Sequence, residues 1–504
     1  MQDDSMKRQP NGRTGEANYL FKWIMLLQVL CYLEAGAVPA LVSVVAGGTE
    51  DDAKRATELL ESMVIAEGEA LVRAACGAGV MPALKSRLLG SGAAGRERAA
   101  SFVDTVFGIA GDVSIPAAHG AGLQEVLIGM LRPEHVAGAP EDDASLAVGA
   151  AASALQNWVI EAPSGEEDEN GRMLVHHGAI AALQSVLGGN SDVAGRASGC
   201  LGVLWDCVPA ACVDALAAGA VEALLAIVDK APEAPEWFDA AGEAAAALGQ
   251  LVDGAKAPAA ARIVELDGFD KLVTLLRPEP PGEDDVEVAD YAALGVTECI
   301  MYGPDTVLHT ETDIGLVIRV VHVIRAALDN ELHGEVINCT NLLAQLQQRF
   351  PESTARMLAA ECDPAGTLLR LMRESFDTQE RHNAAFALSF MAAADPARAA
   401  EYIARGAFDY LLDMFFDVSV DEVDRLEVFS SLERYVRAAP GEVARLRDNP
   451  RTREAIAFIA EHEGDPKVVL PAVPPIVRRL QDLIAASQAG PPAPPAAPAA
   501  LTGA

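Results

Sequence analysis

GAVPALVSVV (Gly36–Val45), GVMPALKSRLL (Gly79–Leu89) and GAVEALLAIV (Gly219–Val228) share one order of residues: a glycine, two or three small or apolar residues, then an apolar run. A glycine takes φ > 0 at little steric cost, so it ends one helix and turns the chain sharply into the next. Pro39 and Pro82 then stand in the first turn of the following helix, where no backbone donor is needed. Val38, Leu41, Val42 and Val45 follow at helical spacing. The stretch therefore predicts a glycine turn that joins two helices.

The pattern recurs from Gly122 (GLQEVLIGML), Gly178 (GAIAALQSVL), Gly268 (GFDKLVTLL) and Gly406 (GAFDYLLDMF), with weaker copies from Gly315 and Gly366. Successive starts lie 43, 43, 56, 41, 49, 47, 51 and 40 residues apart. Stacked helical repeats of the larger kinds have periods of about 40–47 residues. The longer intervals carry acidic, proline-rich inserts at Arg132–Ser145, Glu161–Asn170 and Arg277–Glu287, which read as loops grafted between helices. Each copy is paired with a second helical run. The clearest are Gln379–Ala393, Gly195–Val208, Ser145–Ile160 and Phe238–Asp253. Their small residues let neighbouring helices approach closely.

Composition agrees with helices. Of 504 residues 51% are hydrophobic but only 5% aromatic, and Ala and Leu dominate. The formal net charge is −35, which argues against nucleic acid and against anionic membrane surfaces as partners. A basic protein segment would be attracted. Eight cysteines in so long a chain are no disulfide scaffold, and reduced thiols within apolar helices are the expectation. The apolar run Tyr19–Leu33 is short for a membrane span and contains Lys22, so it reads as a buried helix of a partial first repeat. A targeting segment is the other reading of that run.

The G-A-V-x-A-L helix start, paired with an N-A-A-x-A-L type helix about 25 residues upstream, resembles the armadillo-repeat family over residues 34–437, with HEAT repeats as near neighbours. The fold expected is all-α: a right-handed α-solenoid of about nine armadillo-type repeats. The expected organisation is a disordered N-terminus (1–18), the solenoid (19–437), a helical cap (438–487) and a disordered Pro/Ala-rich tail (488–504).

No P-loop, nucleophile elbow or zinc spacing occurs in the sequence, so the chain is read as non-enzymatic, without cofactor, metal or small-molecule substrate. The resemblance implies that the third helix of each repeat lines a concave groove. In the import adaptors of that family a Trp–Asn ladder there clamps an extended basic peptide. The Asn-equivalent positions in this chain are Ser62, Thr105, Asn157, Val203, Gln250, Val296, Asn341 and Phe390. The Trp-equivalent positions, Ser153 and Phe386 among them, hold no tryptophan, so the ladder is degraded. Asn157, Gln250 and Asn341 are the candidates for contacts to an extended partner, with Trp237 as a surface anchor. Trp158 and Trp205 are assigned to the core. The function expected is a scaffold or adaptor that binds a protein partner, basic or extended, along the groove. A chaperone cofactor of nucleotide-exchange type and an axonemal or cytoskeletal assembly protein stay open. A cytoplasmic setting is expected, with nuclear or ciliary ones as alternatives.

Overall fold

The computed structural model describes residues 36–132, 141–277, 283–307, 310–332, 334–351, 361–416, 422–462 and 473–488. The apolar run at 19–33, both termini and parts of the inserts at 132–145 and 277–287 lie outside them. Among the described residues every regular element is a helix and none is a strand. The chain divides into two compact units, Met1–Ala255 and Lys256–Ala504.

Unit 1 contains α1 (Ala37–Gly47), α2 (Glu50–Glu67), α3 (Glu69–Gly77), α4 (Val80–Gly90), α5 (Ala93–Ala121), α6 (Leu123–Met130) and α7 (Glu141–Ile160). It continues with α8 (Glu167–His176), α9 (Ala179–Val186), α10 (Ser191–Cys207), α11 (Ala211–Ala217), α12 (Ala220–Val228) and α13 (Phe238–Ala255). A break at Ala110 (φ −154°, ψ 64°) divides α5, so that its second part opens a new set of helices. An order of two short helices and one long helix then repeats: α8, α9, α10 is one set and α11, α12, α13 the next.

Unit 2 contains α14 (Ala257–Glu265), α15 (Gly268–Leu275), α16 (Glu283–Tyr302), α17 (Thr310–Asp329), α18 (Ile337–Arg349), α19 (Pro364–Glu374) and α20 (Thr378–Ala394). After these come α21 (Pro396–Ala404), α22 (Ala407–Phe416), α23 (Glu422–Ala438), α24 (Val443–Asp448), α25 (Pro450–His462) and α26 (Val473–Gln488).

The expected glycine turn is present in six copies. Gly36, Gly79, Gly122, Gly178, Gly219 and Gly406 all have φ between 69° and 102°. From Gly79 on, each glycine N–H donates to the carbonyl three residues back, as Gly79 does to Cys76 at 3.0 Å and Gly219 to Leu216 at 3.1 Å. Three copies depart from this. At Gly268 the left-handed residue is Asp267 (φ 54°), and at Gly366 it is Asp363 (φ 46°), whose carboxylate accepts from the Gly366 N–H at 3.1 Å. Aspartate tolerates this region better than most residues. Gly315 lies inside α17 and makes no turn.

Within each unit a row of helices packs side by side in chain order: α2, α5, α7, α10, α13 in the first and α16, α18, α20, α23, α26 in the second. The core runs between these rows and the shorter helices. Trp158 and Trp205 are fully buried in it, as expected, with Phe107 edge-on to Trp158 at 5.3 Å. Polar ties between successive sets keep the repeat period. Arg87 donates to the carbonyls of Val45 and Gly48 at the end of α1, Arg319 to that of Leu276 at the end of α15, and Arg325 to Thr367 and the Cys362 carbonyl. Helix-end carbonyls have no partner within their own helix, so at α1 and α15 an arginine from the next set satisfies them, while Arg325 reaches forward to the start of α19. These ties, with Arg196 to Ser153 and Arg434 to Ser389, span 37 to 45 residues.

Among the described residues no single helix is long and apolar enough to cross a membrane. The bent pair α11 and α12 is apolar enough together, but its two members meet at 74°.

Candidate functional site

Three of the four anticipated residues lie in unit 1. Asn157 is half-buried on α7, where its Nδ2 donates to Asp104 Oδ1 on α5 at 2.8 Å. Burial pushes the Asp104 carboxyl up, while Arg196 and this bond pull it down. Asn157 thus ties two neighbouring long helices. Gln250 is half-buried on α13, and its backbone carbonyl receives Cys212 Sγ at 3.9 Å. Trp237 closes the short 3-10 turn Pro235–Trp237 before α13. It is half-buried, with Lys230 Nζ 3.5 Å from its ring centroid. Asn341 belongs to unit 2. It is half-buried on α18, and its Oδ1 accepts from Gln345 Nε2 at 3.1 Å, one helical turn on.

Between α7, α10 and the start of α13 the structure opens a cleft of about 420 Å³. Its wall on α7 is Ser153 and Gln156, its floor on α10 is Asp192, Gly195 and Arg196, and its far wall is Glu236, Asp239 and Glu243. Four carboxylates therefore face one guanidinium. Arg196 is held in place, donating from Nε to Asp192 at 2.8 Å and from Nη1 to Ser153 at 2.7 Å. Two glycines make the room. A Cβ at Gly149 would lie 2.7 Å from Asp192 Oδ2, and one at Gly199 would lie 2.6 Å from Glu243 Oε2.

The cleft lies on the face that carries the anticipated positions. Ser153 precedes Asn157 by four residues and Glu243 precedes Gln250 by seven, so each pair shares a helical face. Three residues beyond Gln250 and beyond Val203 stand Asp253 and Asp206. Burial, and then repulsion from Asp253 and Asp168, push the Asp206 carboxyl up. Acidic character therefore continues along this face of α10 and α13. Packed helices lie about 8–10 Å apart, so three of them span roughly 20 Å, the reach of about six residues of extended chain.

Of this cleft, sequence reasoning named only Ser153, as a position lacking tryptophan. The missed carboxylates belong to a chain with 73 acidic residues, in which none is conspicuous. Their convergence depends on which residues of neighbouring helices stand opposite, and one usable signal was the period: Arg196 lies 43 residues after Ser153, and Glu243 lies 47 after Arg196.

A crystal structure of an engineered protein is similar to this chain, with TM-score 0.55 and 21% identity over 89% of this chain and 98% of that one. Two further engineered proteins align with TM-score 0.43, at 23% and 19% identity, over 53% and 52% of this chain and 98% of each of theirs. No protein-family model and no curated protein matches the chain. At 21% identity the first likeness is one of fold alone, and it supports an all-α, helical-repeat-like architecture.

Proposed function

We propose that this chain is an armadillo-type α-solenoid that works by binding rather than by catalysis, as a scaffold for a protein partner. The occupant that its chemistry favours is an extended basic segment lying across α7, α10 and α13. One observation carries the reading: the cleft on that face presents four carboxylates to one guanidinium, on the row of helices that the repeat resemblance assigns to the groove. The −35 net charge adds long-range attraction for such a segment, and a polar cleft lined by fixed acceptors gives it places to dock. Asn157 and Gln250 flank the cleft on the same face. The degraded ladder argues for contacts made mostly through charge rather than through a row of tryptophans.

Fluorescence anisotropy with a labelled octalysine peptide tests the proposal, with octaglutamate as control. Octalysine is expected to bind, and to bind at least tenfold more weakly when ionic strength rises from about 0.05 M to about 0.5 M. The Asp192→Asn/Asp239→Asn/Glu243→Gln variant is expected to bind it much less. Equal binding by the variant and the wild type would remove the cleft from the account.

A further inference from the structure

Trp237 stands between two cleft carboxylates in sequence, Glu236 before it and Asp239 two residues after. Its indole already holds a cation, the Lys230 ammonium at 3.5 Å from the ring centroid. The loop KAPEAPEW sets this pairing. The Ala234 N–H donates to the Lys230 carbonyl at 3.0 Å, and the Trp237 N–H to the Ala234 carbonyl at 2.9 Å. Both side chains are half-buried, so solvent reaches the pair. Lys230 is also the only Lys or Arg between Arg196 and Lys256, a stretch with nine Asp and Glu. The one local cation has many carboxylates within its stretch of sequence and is seated on the indole.

We propose that the indole face of Trp237 is a subsite for a lysine or arginine side chain of the incoming segment, and that Lys230 fills it as an internal stand-in which that side chain displaces. The inference rests on the reading of the cleft as a site for a basic segment, and adds to it a named aromatic contact and a built-in competitor. The chemistry is reciprocal. A ring that accepts one ammonium accepts another, and a solvent-accessible cation–π pair is weak enough to exchange. Glu236 and Asp239 belong to the same segment as the ring, so a chain that brings one basic residue to the indole brings its neighbours to the cleft.

The test is a double-mutant cycle in the full chain, with labelled octalysine as probe. Trp237→Ala is expected to weaken binding about two- to fivefold, and Trp237→Phe, which keeps an aromatic ring, by less. Lys230→Ala is expected to tighten binding, and that gain is expected to be at least twofold smaller in the Lys230→Ala/Trp237→Ala chain. Removing a positive charge also strengthens attraction for octalysine in general, but that effect does not depend on Trp237. A gain of the same size with and without the indole, or no gain at all, would overturn the proposal. The cleft is tested separately, because Glu243→Gln should weaken binding both in the wild-type chain and in the Trp237→Ala chain. If Glu243→Gln weakens binding while the cycle is null, the cleft reading stands and the indole subsite falls. If no variant binds octalysine, both fall.

Discussion

In unit 1, α10 and α13 meet through small residues: a Cβ at Gly195 would lie 3.2 Å from Ala240 Cα, and one at Gly202 3.5 Å from Ala247 Cα. Their carboxylates point outward into the cleft. In unit 2, α16, α18 and α20 meet through carboxylates that are themselves buried. Asp290 on α16 accepts from the Cys339 N–H at 2.7 Å and from the Asn338 N–H and Nδ2 at 3.3 and 2.9 Å. Glu380 on α20 accepts from the N–H groups of Gly334 and Val336 at 2.9 and 3.0 Å and from Ser375 Oγ at 2.5 Å. Together they hold the turn Gly334–Val336 and the first turn of α18. The same kind of helix row therefore uses acid in two ways. Where small residues bring the helices together, carboxylates remain at the surface of the cleft. Where carboxylates sit between helices, the backbone of the chain itself takes up their charge.

The sharpest way to break this contrast is Glu380→Ala. It leaves three donors, two of them buried, without their acceptor and should cost about 4 kcal/mol of stability in chemical denaturation. A loss below about 1 kcal/mol would mean that the buried carboxylate does not hold the turn. Gly111→Ala in unit 1 comes next. Its Cβ would stand 1.8 Å from the Glu161 carbonyl oxygen, so backbone must move, at roughly 3 kcal/mol. Gly199→Ala meets only the flexible ends of Glu243 and Gln156, and a loss below about 1 kcal/mol is expected there.

Asp290 sharpens the comparison through pH. Burial pushes its carboxyl up to about 7, against the pull of the Cys339 and Asn338 donors. Between the ordinary carboxylate range and pH 7 the folded chain therefore holds a proton that the unfolded chain has released. Stability is expected to fall as pH rises through that window, by up to about 1.4 kcal/mol per pH unit from this group, and to level off above it. Asp290→Asn should flatten that slope, and an unchanged slope would show that Asp290 is not its source. The smallest effects belong to the surface carboxylates. Asp192→Asn and Glu243→Gln should each weaken octalysine about threefold while leaving stability within about 0.5 kcal/mol.

Much of the fold was legible because one conformation recurs. A left-handed residue between a short helix and an apolar one has a plain signature in glycine, and six glycines supply it. It was misread where another residue takes that conformation, at Asp267 and Asp363, and at Gly315, where α17 runs straight through. The site was less legible. Asn157 and Gln250, the positions that the repeat resemblance singles out, share helical faces with Ser153 and Glu243, but Asn157 spends its amide on Asp104 of the neighbouring helix, which no local pattern announces. The cleft depends on residues 43 to 47 positions apart standing opposite one another, and Lys230 reaches Trp237 through a proline-rich loop rather than at helical spacing.

The most direct test of the central claim is where a basic segment touches the chain. An octalysine peptide bearing a photoreactive benzophenone, crosslinked to the full chain and mapped by mass spectrometry, should label residues 153–157 of α7, 192–206 of α10 and 236–253 up to the end of α13, and salt should suppress the labelling. Labelling concentrated on α8, α9, α11 or α12, or indifferent to salt, would contradict the account.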